Sequence, residues 1–206
     1  MTEKSWSPER QRLGEQVGML LRALRSHEDG VKELAIVQLS LLGPKAVPYL
    51  ASALEAALDE SSSTEGLRAS RLDPEREIEG ICRTLGIIRD SSAVMDLADA
   101  LPRKEAVEAL AKTGGERALE LVMGTIASDS KGGGALRNYE SWSPHSSDRS
   151  EENEEFVGRV FLCFGEIGRR RLDEEMGKRP SAKRAAAAEV IRILGQAHVR
   201  EQGTKT

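Results

Sequence analysis

The chain has 206 residues, of which 31% are charged and 3% aromatic, with a formal net charge of −4. That length suits one domain or one repeat array, and no uninterrupted apolar run approaches the roughly 20 residues that cross a bilayer. The polar start, MTEKSWSPER, has no apolar core of a signal peptide, so a cytoplasmic protein with no membrane contact is expected.

Abundant Ala, Leu, Glu and Arg point to helices, and the small side chains let helices approach closely. Ser7-Pro8-Glu9 is a helix start: a Ser cap, a Pro at the first helical position and an early acid. Leu13, Val17, Leu20, Leu21 and Leu24 follow as one stripe, which predicts a capping helix over 8–27. Residues 29–58 predict an antiparallel helix pair. Its first half carries Leu34, Val37, Leu39, Leu41 and Leu42 around much of its circumference, the pattern of a helix packed on two sides. Gly43 stops it and Pro44 cannot continue the ladder. The second half restarts with Val47, Leu50, Leu54 and Leu58, with Pro48 in its first turn.

Ser61 to Thr64 interrupts the periodicity, so 59–72 is expected to be a loop. Asp73-Pro74-Glu75 opens a second pair over 74–102, built on Ile78, Ile81, Leu85 and Ile88, then Val94, Leu97 and Leu101. A third pair, 104–127, uses Val107 and Leu110, then Leu119, Val122 and Ile126. Residues 128–153, with Gly132 to Gly134, form a flexible linker. Ser141-Trp142-Ser143-Pro144 inside it repeats Ser5-Trp6-Ser7-Pro8; each Trp is either an apolar staple before a helix start or a docking element. Residues 154–200 hold degenerate repeats, beginning with a helix rich in Phe (Phe156, Phe161 and Phe164) and ending in a helix closed at Gly195.

Leu-Gly closures fall at Leu42-Gly43, Leu85-Gly86 and Leu194-Gly195, with looser versions at Thr113-Gly114 and Ile167-Gly168; two of the glycine spacings, 28 and 27, are near one helix-pair length, and the other two, 43 and 54, contain the 59–72 and 128–153 insertions. One pair cannot bury its own apolar faces, so neighbours must stack on it. Ala35-Ile36-Val37-Gln38-Leu39 through Leu42-Gly43, then Ala46-Val47-Pro48-Tyr49-Leu50, resembles the HEAT-like repeats of the phycobilisome-lyase type. Ala93-Val94-Met95-Asp96-Leu97 keeps the second half without its Pro, and Ala106 to Leu110 with Ala118 to Leu121 keeps both halves weakly. The resemblance implies an all-α fold, an α-solenoid stacked from antiparallel helix pairs. It implies no bilin chemistry, because no residue set here would carry it.

Little in the sequence suggests catalysis. His27, His145 and His198 lie far apart, neither Cys82 nor Cys163 has a His nearby, and both Cys sit in apolar pattern expected to bury them as free thiols. There is no phosphate-binding loop and no nucleophile elbow. No metal, cofactor or catalytic residue is expected, and the chain reads as a non-enzymatic scaffold.

Charge is uneven. Residues 1–155 hold 19 basic and 28 acidic side chains, and residues 156–206 hold 11 and 6. By the resemblance, the second helices of each pair line an inner curve. This exposes Tyr49, Ser52, Glu55, Asp96, Asp99, Glu116 and Glu120, then Arg169, Arg170 and Glu174, as a groove for a partner protein chosen by electrostatic complementarity. The alternative is nucleic acid or another polyanion on Arg169, Arg170, Arg171, Lys178, Arg179, Lys183 and Arg184. Some solenoids that resemble this one, such as the alkylpurine DNA glycosylases, hold DNA in a basic groove. The acidic first pairs weigh against a whole-groove site of that kind here.

Overall fold

The computed structural model describes residues 8–64, 74–129 and 151–203, which are helical and contain no strand. Among the described residues nine α-helices follow in order: α1 (Pro8–Leu24), α2 (Asp29–Leu42), α3 (Val47–Thr64), α4 (Pro74–Ile88), α5 (Val94–Asp99), α6 (Lys104–Thr113), α7 (Gly115–Asp129), α8 (Glu151–Met176) and α9 (Ala182–Gly203). Short 3-10 turns, Gly43–Ala46 and Ser91–Ala93, lead into α3 and α5. The chain divides into two compact units, Met1–Ala100 and Leu101–Thr206.

In the first unit α4 is the hub: α2 and α3 both pack on it, and α1 packs on α2. Its Ile78, Ile81 and Leu85 recur every three or four residues and are fully buried, each contributing about 1.5–3 kcal/mol of transfer free energy. Leu24 meets α4 where Gly80 leaves room; a Cβ there would lie 2.9 Å from a Leu24 methyl carbon. The buried Thr84 hydroxyl donates 2.7 Å to the Gly80 carbonyl, so the core keeps its polar atom paired. α2 packs mainly on α1 and α4, and α3 mainly on α4; both also meet the turn between them, and they pack little on each other.

In the second unit α6 packs on α7 and α8, and α9 packs on α8 and α7. These are packed helix pairs, an arrangement compatible with a helical repeat. Three glycines make the sharp breaks. Gly43 (φ 62, ψ −148), Gly114 (φ 78, ψ −169) and Gly165 (φ 53, ψ −128) share one backbone setting that side chains disfavour. Gly165 divides α8 into arms 151–164 and 166–176, with no gap between them.

Several expectations are corrected here. Gly86 is buried inside α4, and the chain turns instead at Arg89, a non-glycine residue with φ 57. Gly168 and Gly195 are helical, within α8 and α9; α9 continues to Gly203. α3 runs through Ser61 to Thr64, with the Ser62 hydroxyl turned back 2.9 Å onto the Leu58 carbonyl. This shortens the expected 59–72 loop. The helix before Pro102 ends at Asp99. Cys82 is buried but Cys163 is exposed. Trp6, Trp142 and most of 128–153 lie outside the described residues.

α2 departs furthest from its sequence pattern. It buries Lys32, Ala35, Ile36 and Leu39 but leaves Val31, Leu34, Val37 and Leu41 exposed. α2 does pack on two neighbours, α1 and α4, but both meet it through one face of its apolar circumference. The segment Asp29–Ser62, long and apolar enough to be a candidate membrane span, is broken at Gly43 into helices of 14 and 18 residues.

Candidate interaction surfaces

In the first unit, Pro48 starts α3 so that Tyr49 and Ser52 fall on one side, one turn apart. Both line an open cleft of about 600 Å³ shared with α1. The Tyr49 hydroxyl donates 3.3 Å to the Arg10 carbonyl, and the ring lies against Gly14. Glu55 is exposed further along α3, outside that lining; Asp96 is half-buried and Asp99 exposed on α5. The structure therefore joins Tyr49 with Ser52, and leaves the other three of this group separate from them.

The second unit is better organised. Glu116 and Glu120 lie one turn apart on α7, and Arg170, Arg171 and Glu174 share a face of the 166–176 arm of α8. Together they line a cleft of about 560 Å³ with Arg117, Leu119 and Ile167. Arg170 binds Glu116 at 2.9 Å and lies 4.0 Å from Glu174. Arg171 reaches Glu120 at 2.6 Å, Glu175 at 2.9 Å and Glu174 at 3.3 Å. Lys183, from the first turn of α9, donates 2.5 Å to the other Glu120 oxygen. Helices α7, α8 and α9 are thus stitched by one alternating network of charges.

The network sets the ionisation of its members. The Lys183 hydrogen bond leads in holding the Glu120 carboxyl below its ordinary range, against a partial desolvation, with the Arg171 charge adding. Burial works to lower the Arg171 pKa, but Glu120, Glu175 and Glu174 outweigh it and hold it raised. Glu175 is 2% exposed and takes Arg171 and Lys178, the latter at 2.7 Å. A buried carboxylate needs such partners, because an unpaired one would cost several kcal/mol. Its role was missed from the sequence, although the spacing of Arg171 and Glu175 is that of a helical ion pair.

The basic segment does not form one surface. Arg169 faces away from Arg170, pairing with Glu166 at 3.8 Å and lining a separate apolar groove of about 540 Å³ with Leu162, Leu172, Ile191 and Leu194. Arg184 donates 3.1 Å to the Lys178 carbonyl, and Arg179 is exposed beside it. Arg192, further along α9, bridges Glu189 at 2.8 Å and Glu154 at 2.5 Å. Hydrogen bonds to Glu189 and then Glu154 raise its pKa.

Among the described residues no group of three or more His, Cys, Asp or Glu side chains is placed to hold a metal ion. His145 and the His198 side chain lie outside the described residues. No family model, no curated protein and no solved structure matches this chain.

Proposed function

We propose that this chain is a non-enzymatic scaffold of the HEAT-like, α-solenoid kind that binds a partner protein, with the α7–α8 cleft as its docking site. The observation that carries the reading is the alternation Glu116, Arg170, Glu174, Arg171 and Glu120 around one open cleft. Such a surface presents both signs at fixed positions, which selects a partner by register more than by net charge. Of the residues singled out from the sequence, Glu116, Glu120, Arg170 and Glu174 line that cleft. Tyr49 and Ser52 offer a second contact area, in a more apolar cleft with Leu13, Val17 and Leu21.

Binding of nucleic acid is the weaker alternative. Phosphate neutralisation needs several cations acting together, whereas Arg170, Arg171, Lys178 and Lys183 are already matched to internal carboxylates. A polyanion would have to displace them.

The discriminating experiment exchanges a charge pair. Glu116→Arg with Arg170→Glu preserves an internal bridge while reversing two of the six charges that line the cleft. Affinity capture from the native cell, followed by reconstitution with the purified partner, should give a complex that the exchanged variant loses at unchanged melting temperature. Retention of that complex by the exchanged variant overturns the cleft as docking site. Salt-sensitive binding of a random-sequence DNA or RNA duplex, lost in Arg169→Ala/Arg179→Ala/Arg184→Ala, would favour the alternative.

A further inference from the structure

The groove between α8 and α9 has apolar walls and a charged rim. Leu162 of the first arm of α8 lines it, with Arg169, Leu172 and Asp173 of the second arm and Ile191 and Leu194 of α9. Leu162 and Ile191 remain 67% and 39% exposed there. Gly165 and Gly195 also line the groove, and a Cβ at either would meet nothing within 4 Å. Residues without side chains thus leave open a space of about 540 Å³, within the usual range of binding sites.

The second arm of α8 indicates what the groove takes. Its Arg170, Arg171 and Glu174 face α7, and Arg169, Leu172 and Asp173 lie on the opposite side, because two residues turn a helix by 200°. The charges facing α7 are bridged internally; those in the groove are not. The Asp173 carboxylate has no ion pair or hydrogen bond among the described residues, and Arg169 reaches only Glu166, at 3.8 Å. The complementary occupant brings an acid to Arg169 and a base to Asp173, one helical turn or about 6 Å apart. A polyanion would meet repulsion from Asp173, and a plain hydrocarbon would leave both charges unmatched. The groove walls are helices whose backbone groups are bonded internally, so an extended peptide would lose water there with no ladder to join. A helix satisfies its own backbone, and the lining rows Gly165–Arg169–Asp173 and Ile191–Gly195 have the four-residue spacing into which helices pack. We infer that the α8–α9 groove seats an amphipathic helix of another protein. Its apolar face lies against Leu162, Ile191 and Leu194, and an acid and a base one turn apart meet Arg169 and Asp173. The groove is separate from the α7–α8 cleft, so either site stands or falls without the other.

The probes are two fluorescent synthetic peptides of about 14 residues, held helical by a hydrocarbon staple. Both carry leucines along one face; at its edge one has Glu followed four residues later by Lys, and the other has Lys followed by Glu. Fluorescence anisotropy with the full chain should show one order bound at least about tenfold more tightly than the other. Arg169→Asp with Asp173→Arg should reverse that preference, an outcome that a misfolded variant cannot give. Gly195→Leu fills the groove from a helical position and should weaken both peptides at least about tenfold while leaving the helical circular dichroism unchanged. No binding of either peptide at hundreds of micromolar overturns the inference, whether a second copy or another part of the chain then fills the groove. Equal binding of the two orders, a preference that survives the charge exchange, or binding that survives Gly195→Leu overturns it as well.

Discussion

Gly43 and Gly18 test what a glycine does in this fold. A Cβ added at either position meets nothing within 4 Å, so sterics with neighbours do not decide the outcome. Gly43 holds φ 62, ψ −148, and Gly18 lies within α1. Gly43→Ala should therefore destabilise by about 1–3 kcal/mol through backbone strain, and Gly18→Ala should stabilise by roughly 0.5–1 kcal/mol through lower unfolded-state entropy. Urea denaturation of the two variants checks the opposite signs. The carboxylates give a second opposition. Glu120 is held below its unfolded value near 4.5, chiefly by Lys183. Its contribution to stability is present above that value and lost as pH falls through the lower folded one. Glu77 is held above its unfolded value, because burial outweighs the Arg25 hydrogen bond at 2.6 Å. Its effect favours the folded state as pH falls and is lost as pH rises through the raised folded value. Carboxyl-carbon NMR titration should place Glu77 above and Glu120 below the ordinary range. The stability difference between wild type and Glu120→Gln should shrink in acid.

At the scale of the element, α2 shows how much a sequence pattern can and cannot say. Its helical identity, its stop at Gly43 and the restart at Val47 are legible, because Gly, Pro and the apolar period act locally. Which side of α2 meets the core is not legible, since its apolar residues lie around much of the circumference and even Lys32 is buried. The structure separates Leu39, fully buried, from Leu41, 81% exposed. Leu39→Ala should cost about 2–5 kcal/mol, and Leu41→Ala within about 0.5 kcal/mol of nothing. Thermal and urea unfolding of both variants reads the contrast directly. The same logic explains the Leu-Gly pairs. Gly43 breaks a helix and Gly86 does not, because Gly permits a turn without requiring one. Gly86 lies buried in a packed helix that continues to Ile88, and Arg89 accepts the left-handed turn instead. On α8, Gly165 breaks the helix three residues before Gly168, which stays helical.

Across the molecule, the helical content and most helix starts were readable from caps, prolines and periodicity. The pairing of charges was not. Arg169 to Arg171 reads as one basic group in the sequence, but a helix turns 100° per residue and sends neighbouring side chains apart. Arg169 reaches an apolar groove, Arg170 reaches Glu116 and Arg171 reaches Glu120. The apparent cationic tail is therefore largely internal electrostatics, shared with acids some fifty residues earlier, at sequence separations of 54 and 51. This balance favours a protein partner read by charge register over a polyanion held by net charge.

The most direct measurement is the affinity of the purified partner for wild type and for Glu116→Arg/Arg170→Glu, titrated side by side by calorimetry at low and physiological salt. Binding to the wild type should weaken with salt, and binding to the exchanged variant should be at least about tenfold weaker at equal thermal stability. Equal affinities for the two proteins would contradict the α7–α8 cleft as docking site.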